Sequence, residues 1–252
     1  MLRVDNCPLC GTTRPENVEV RYVVDETREI GDSRFLLYGR HLTVVCPTCN
    51  LCFQIERFPD DDLTKYYTDG HYLNKSNKKV DLEARREKSR AFIAFLLQCL
   101  ENNDIKPTRQ LDFGCAQGNF LLSVNWPGVG VEIVPDYLEY ARSHKVEIYE
   151  NLEEVSGLFD FVSLIEVLEH MPYPGKLLKA LYEKLEPGGN ILITVPDMIG
   201  GHPHAISNRH LNAFSGNALR FGLKNAGFEI VTASKIKGGL STLLFIGRKE
   251  IG

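Results

Sequence analysis

From Gln110 to Val195 the apolar positions fall alternately into short strand-like runs and longer runs at helical spacing. The strand-like runs are 110–113, 128–132, 146–149, 159–164 and 190–195, with helical patterns between them at 120–125, 135–143 and 174–185. This alternation predicts a doubly wound, mostly parallel α/β sheet with helices on its crossovers. A further helical run at 216–226 precedes two strand-like runs, 228–235 and 241–248, close enough to pair as an antiparallel hairpin, so the last strand is expected to be antiparallel. Upstream, Ala91, Phe92, Phe95, Leu96, Cys99 and Leu100 recur at helical spacing and mark an amphipathic helix over 82–100, where this core domain begins.

The first 58 residues read differently. Strand-like runs at 18–24 and 41–45 lie between two CxxC pairs, Cys7-Pro8-Leu9-Cys10 and Cys46-Pro47-Thr48-Cys49. Zinc prefers four tetrahedral thiolate or imidazole ligands, and each CxxC turn presents two sulfurs to one ion. Cys7, Cys10, Cys46 and Cys49 therefore predict a closed structural zinc site, a small zinc ribbon without an open position for chemistry. Cys52 reads as a buried strand residue, and Cys99 and Cys115 as core or loop residues. The polar stretch 59–81, with Asp60, Asp61, Asp62, Tyr66, Tyr67 and Tyr72, shows no sustained periodicity and reads as a connecting segment or lid. The chain thus divides into a zinc ribbon (1–58), this segment (59–81) and an α/β domain (82–252).

Composition narrows the classes little. The hydrophobic fraction of 43% and charged fraction of 25% are ordinary globular values. With a net charge of -4 and Lys and Arg scattered among acids, a nucleic-acid partner is disfavoured. No apolar run approaches the ~20 residues that span a bilayer, and the N-terminus lacks a secretory apolar stretch, so a cytoplasmic protein without membrane contact is expected. There thiols stay reduced, and the seven cysteines read as ligands or core residues.

The stretch Leu111-Asp112-Phe113-Gly114-Cys115-Ala116-Gln117-Gly118 puts glycines at the exit of the first strand, where a nucleoside cofactor can meet the backbone closely. Glu132 ends the second strand, where a carboxylate can accept bonds from ribose hydroxyls. Glu166-Val167-Leu168-Glu169-His170 follows the fourth strand, and Leu185-Glu186-Pro187-Gly188-Gly189 leads into the fifth. Together these stretches resemble the class I S-adenosylmethionine-dependent methyltransferases over about residues 82–248. A nicotinamide site fits less well, because Gly114, Ala116 and Gly118 do not form GxGxxG.

The resemblance implies S-adenosylmethionine as cofactor, with Asp112, Gly114, Ala116 and Gly118 around its methionyl group and Glu132 on the ribose. It puts Ile133 against the adenine, Asn151 and Leu152 at the adenine edge, and Glu166 and Val167 near the sulfonium. Asp112 has the competing role of holding loop amides. Ala116 stands where the family usually has glycine. Glu132 is expected to be hydrated at the pocket mouth and to matter little for packing. The cysteine-rich segment is similar to the zinc-binding segment ahead of some sugar and natural-product methyltransferases. That implies a small-molecule acceptor, methylated on an oxygen of a sugar, nucleotide sugar or natural-product intermediate. C- or N-methylation, RNA modification and a non-catalytic cofactor-binding regulator stay open beside it.

Methyl transfer to a hydroxyl requires an aligned nucleophile and removal of a proton. The segment after the fifth strand carries His202, His204 and His210. His204 and His210 are candidate general bases, as is His170. Alternatively His210 fixes a turn before the last helix, which Ser215 caps. No carboxylate spacing supports a catalytic metal on His202, His204 and His210.

Overall fold

The computed structural model describes residues 2–13, 22–24, 28–29, 36–37, 41–69, 80–199, 210–236 and 241–251. His202, His204 and Tyr72 lie outside them. The core sheet has seven strands: β1 (Gln110–Phe113), β2 (Gly128–Val131), β3 (Glu147–Tyr149), β4 (Phe159–Ile165), β5 (Leu185–Pro196), β6 (Phe228–Ile236) and β7 (Thr242–Lys249). Their order is β3-β2-β1-β4-β5-β7-β6. All pairs from β3 to β5 are parallel, and β7 runs antiparallel to both of its neighbours.

Both faces of this sheet are covered, which is why β4 reads as a nearly continuous apolar run. On one face Phe161, Leu192, Leu244 and Ile246 pack with Ile93, Leu96 and Leu100 of helix α2 (Leu82–Asn102). On the other, Val162, Leu164, Ile191, Ile193 and Phe245 pack with Leu178 and Leu181 of α4 (Pro174–Lys184) and Leu219 and Leu223 of α5 (Gly216–Asn225). Alternate residues of each strand face opposite cores, as the pleat requires. Each such leucine, once fully buried, contributes about 1.5–3 kcal/mol. Helix α3 (Pro135–Ser143) starts with proline, whose fixed φ suits the first turn. Ser215 caps α5 by accepting the Ala218 amide at 3.1 Å, as the sequence suggested.

Two segments differ from expectation. The helix expected at 120–125 is a single 3₁₀ turn, Leu121–Ser123. Trp126 precedes Pro127, which disfavours helical backbone there, and β2 begins at the next residue. The connecting segment instead holds a helix, α1 (Asp60–Thr68), with Asp60, Asp61 and Asp62 in its first turn against the positive end of the helix dipole. Tyr66 anchors it in the interior.

The cysteine-rich segment is built into the same core. A four-stranded antiparallel sheet runs in the order Asn212–Ala213, Cys52–Gln54, His41–Val45, Tyr22–Val24, so its edge strand comes from beyond β5. Leu9, Cys7, Cys46, Cys49, Leu51 and Phe53 join the apolar cluster under α4 and α5. The Gly175 amide donates to the Pro8 carbonyl at 3.2 Å. A Cβ on Gly175 would lie 2.1 Å from the Leu9 carbonyl oxygen, so only glycine permits this approach.

Candidate active site

Strand order reverses between β1 and β4, and in doubly wound sheets ligands bind outside the carboxyl ends of the strands at such a point. A cavity of about 610 Å³ opens there, a size that suits a nucleoside-sized ligand. The turns after four strands line it: Gly114 and Ala116 after β1, Glu132 and Ile133 after β2, Asn151 and Leu152 after β3, Glu166 and Val167 after β4. Tyr67 of α1, Arg85 of α2, Tyr137 of α3 and, beyond β4, His170, Met171 and Lys176 complete the wall.

The loop after β1 is shaped by three left-handed residues, Gly114 (φ +69°), Ala116 (φ +49°) and Gly118 (φ +78°). At Gly114 a Cβ would lie 2.5 Å from Cγ2 of Val167. Gln117 ties the loop to the start of α2, donating to the Leu82 carbonyl at 2.6 Å. Two residues assigned by resemblance to the methionyl site do not line the cavity. Gly118 faces Val146, and Asp112 is buried beneath the loop. The Ser163 hydroxyl of β4 donates to Asp112 at 2.6 Å, and Gln110 donates to Ser163 at 2.9 Å. Burial lifts the Asp112 carboxyl to about 7, against the Ser163 bond that pulls it down and with the charge of Glu132 adding to the rise.

Glu132 is not a hydrated group at a pocket mouth. Only 8% exposed, it accepts the amides of Ile133 and Val134 on Oε1 at 2.7 and 2.9 Å and that of Ala116 on Oε2 at 2.9 Å. A carboxylate has about four lone-pair sites, so one remains for a ligand hydroxyl. Burial holds its carboxyl above the ordinary value although the three amide bonds oppose this.

At the far end of the cavity Glu166 adopts φ +56°, and its Oε1 has no hydrogen-bond partner among the described residues. Burial lifts its carboxyl to about 7. Behind it Glu169, 2% exposed, approaches Nε2 of His170 at 3.6 Å. Nδ1 of His170 lies 3.4 Å from the Tyr67 hydroxyl, and the His170 ring meets His210 edge-on at 4.7 Å between centroids. His170 and His210, far apart in sequence, are therefore neighbours, and Tyr67 reaches His170 from α1. Arg85, Tyr137, Lys176 and Glu169 were not singled out as site residues from the sequence. Each reaches this place through a helix or turn whose register only the fold defines.

The four predicted zinc ligands converge. Cys7, Cys10, Cys46 and Cys49 hold their sulfurs within 4.8 Å of one another, with Cys7–Cys49 at 3.5 Å and Cys10–Cys46 at 3.6 Å. A tetrahedral ion at about 2.3 Å from each sulfur needs roughly 3.8 Å between sulfurs, so the residues fit zinc. The two turns match: the Gly11 amide donates to the Cys7 carbonyl at 2.8 Å and the Asn50 amide to the Cys46 carbonyl at 2.9 Å, and both residues have positive φ. The hydrogen bond from Cys49 pulls the Cys7 thiol down to about 5, while burial raises Cys46. Cys52 stands apart, fully buried against Ala213, its thiol pushed up to about 11 by burial.

Comparison with known proteins agrees with this geometry. Residues 82–233, more than half of the chain, match the methyltransferase-domain family. The chain belongs to that family. Its seven-stranded fold is that of the class I S-adenosylmethionine-dependent methyltransferases. A ubiquinone biosynthesis O-methyltransferase of Xanthomonas oryzae pv. oryzae (strain PXO99A) is 32% identical over 107 residues, 36% of this chain and 44% of that protein. The corresponding enzyme of Pseudomonas aeruginosa (strain LESB58) is 30% identical over 98 residues, 33% of this chain and 42% of that protein. The chain spans less than half the length of these curated relatives. Among solved structures, the N-methyltransferase NodS of Bradyrhizobium japonicum WM9, in complex with S-adenosyl-L-homocysteine, superposes with a TM-score of 0.52 at 18% identity, over 64% of this chain and 86% of that one. A chain from the complex of the Haloferax volcanii Trm112 methyltransferase activator with a methyltransferase gives 0.57 at 15% identity, over 67% and 95%. These identities show the fold alone. Among the described residues no helix is long and apolar enough to cross a membrane.

Proposed function

We propose that the chain transfers a methyl group from S-adenosylmethionine to an oxygen of a small-molecule acceptor, such as a sugar, nucleotide sugar or natural-product intermediate. The observation that carries this reading is a single cavity joining two chemistries. One end has the Gly114–Ala116 turn, Glu132, Ile133, Asn151 and Leu152, suited to an amino acid and a nucleoside; the other has Glu166 and His170, suited to proton transfer. The names of the relatives support oxygen as the methylated atom.

In this reading the open backbone at Gly114 receives the methionyl group and Arg85, a cation on the wall, pairs with its carboxylate. The remaining lone pair of Glu132 accepts a ribose hydroxyl, and Ile133 with Leu152 flanks the adenine. The bound cofactor supplies an electrophilic methyl on a sulfonium. The chain's task is to align the acceptor hydroxyl, exclude water and take its proton. His170 is the described histidine on the cavity wall, and Tyr67 fixes its ring. His210 supports His170 from behind; His204 lies outside the described residues.

The cysteine site is read as holding one structural zinc ion, clamping the knuckles onto α4 and α5. A screen of sugars, nucleotide sugars and phenolic intermediates with methyl-labelled S-adenosylmethionine tests the activity: label is expected in a methyl ether of one class. Label appearing only in RNA, or on an acceptor nitrogen or carbon, would contradict the proposal.

A further inference from the structure

Outside the cysteine cluster, Glu169, His170 and His210 bring ligating atoms within 4.8 Å of one another. We propose that these three residues, with Glu166 as a fourth ligand, hold a divalent first-row cation at the acceptor end of the cavity. Two imidazoles with one or two carboxylates form the mixed nitrogen and oxygen set that binds Mn²⁺, Fe²⁺ or Zn²⁺.

Three observations point to a cation. Glu169 is 2% exposed, and its Oε2 has no hydrogen-bond partner among the described residues. A group of this kind left unsatisfied in the interior is unfavourable. Glu166, half-buried on the cavity wall, adds a second carboxyl three residues from Glu169, and its Oε1 is buried and likewise without a hydrogen-bond partner among the described residues. A divalent ion would neutralise both. The geometry already approaches coordination: ligands about 2.0–2.2 Å from one ion lie roughly 3–4 Å apart, and Glu169 Oε1 is 3.6 Å from His170 Nε2.

The surrounding residues suit a metal-bound imidazole. A ligating histidine usually donates its other ring N–H to a fixed acceptor, and Nδ1 of His170 faces the Tyr67 hydroxyl at 3.4 Å. Nε2 of the same ring is the nitrogen on the Glu169 side, 3.6 Å from Oε1. His210 is held by its backbone, whose carbonyl accepts from Gln54 Nε2 at 3.1 Å. The neighbouring Asn212 donates to the Met171 carbonyl at 2.8 Å, which ties the turn carrying Glu169 and His170 to the strand after His210. Two of the four residues, Glu166 and His170, also line the cavity.

Such an ion has a task in the proposed reaction, and this part rests on that reading. A cation beside the acceptor binds its hydroxyl and lowers the pKa of the bound oxygen. The acceptor class is then one with a hydroxyl, and best two adjacent hydroxyls, able to reach the ion while one oxygen faces the methyl group. The step balances as a displacement: the acceptor oxygen forms a bond to the methyl carbon, the carbon–sulfur bond breaks, and the hydroxyl proton, made acidic by the ion, leaves to water, so that with the ion bound His170 and Glu166 act through it and do not take the proton themselves.

The test uses the full chain with zinc in its cysteine site. Mn²⁺ is titrated in and the free ion followed by electron paramagnetic resonance, with zinc content measured on the same samples. One Mn²⁺ per chain is expected without loss of zinc. Glu169→Gln and His210→Asn are each expected to weaken Mn²⁺ binding more than ten-fold while leaving affinity for S-adenosylmethionine within about two-fold. Failure of the parent to take up Mn²⁺, or uptake by Glu169→Gln equal to the parent's, overturns the site. Cofactor calorimetry separates the two claims: Mn²⁺ uptake without cofactor binding would sink the methyl-transfer reading and leave the metal site standing.

Discussion

The carboxylate of Glu132 accepts the backbone N–H of Ala116 at 2.9 Å, so one side chain both fixes the loop after β1 and faces the cavity. Replacing it with alanine removes the ligand acceptor and leaves three amides without their partner. Glu132→Ala is expected to weaken S-adenosylmethionine binding about ten-fold to a hundred-fold, and also to lower stability by about 1–3 kcal/mol. Calorimetry and denaturant unfolding read the two effects separately. Unchanged stability would mean that the three amides find water instead.

Ala116 holds φ +49°, a left-handed conformation that costs a residue with a Cβ roughly 1–2 kcal/mol. Glycine relieves that strain but loses about 0.4–1 kcal/mol through its freer unfolded chain. Ala116→Gly should therefore raise stability by up to about 1.6 kcal/mol and retain cofactor binding. A fall in the denaturation midpoint would show that the methyl group packs usefully.

The cysteine cluster and the α/β domain share a core, which changes what replacing one of the cysteines should do. A separate ribbon would unfold alone and leave cofactor binding intact. With Leu9 seated against Gly175 and Gly222, Cys46→Ser is expected to release one zinc equivalent and destabilise the whole chain in one cooperative transition. Gly175→Ala, which pushes Leu9 away, should cost about 1–3 kcal/mol with all four cysteines present. Elemental analysis and thermal unfolding check both; two resolved transitions would contradict the shared core.

Asp112 gives a pH dependence with a defined sign. Its native carboxyl titrates at about 7, above the ~3.9 of an unfolded chain. The native state therefore binds the extra proton, so this contribution to stability is fully present below about pH 4 and is lost as pH rises through 7. Relative to Asp112→Asn, the parent should lose stability between pH 5 and pH 8. Parallel unfolding curves across that range would contradict the burial argument.

The parallel sheet and its antiparallel end were legible because alternating apolar runs need only local spacing, and the four-cysteine cluster because CxxC pairs are themselves local. Helix α1 left one signal, the acidic triplet after Pro59, which outweighs the weak apolar period of so short a helix. Glu169 beside His210 was not legible: 40 residues separate them, and only the return of the chain after β5 to the edge of the Cys52–Gln54 strand joins the two. Asp112 and Gly118 belong to the same recognisable stretch as Gly114, yet one points below the loop and the other toward Val146. A motif gives positions along the chain and not the side on which each residue ends.

The cavity at the reversal of strand order is proposed as the S-adenosylmethionine site. Calorimetric titration of the zinc-loaded chain with S-adenosylmethionine decides this, with Glu132→Ala as comparison. One cofactor per chain, bound at least ten-fold more weakly by the variant, is the expected result. No binding at millimolar cofactor, or equal binding by the variant, would contradict it.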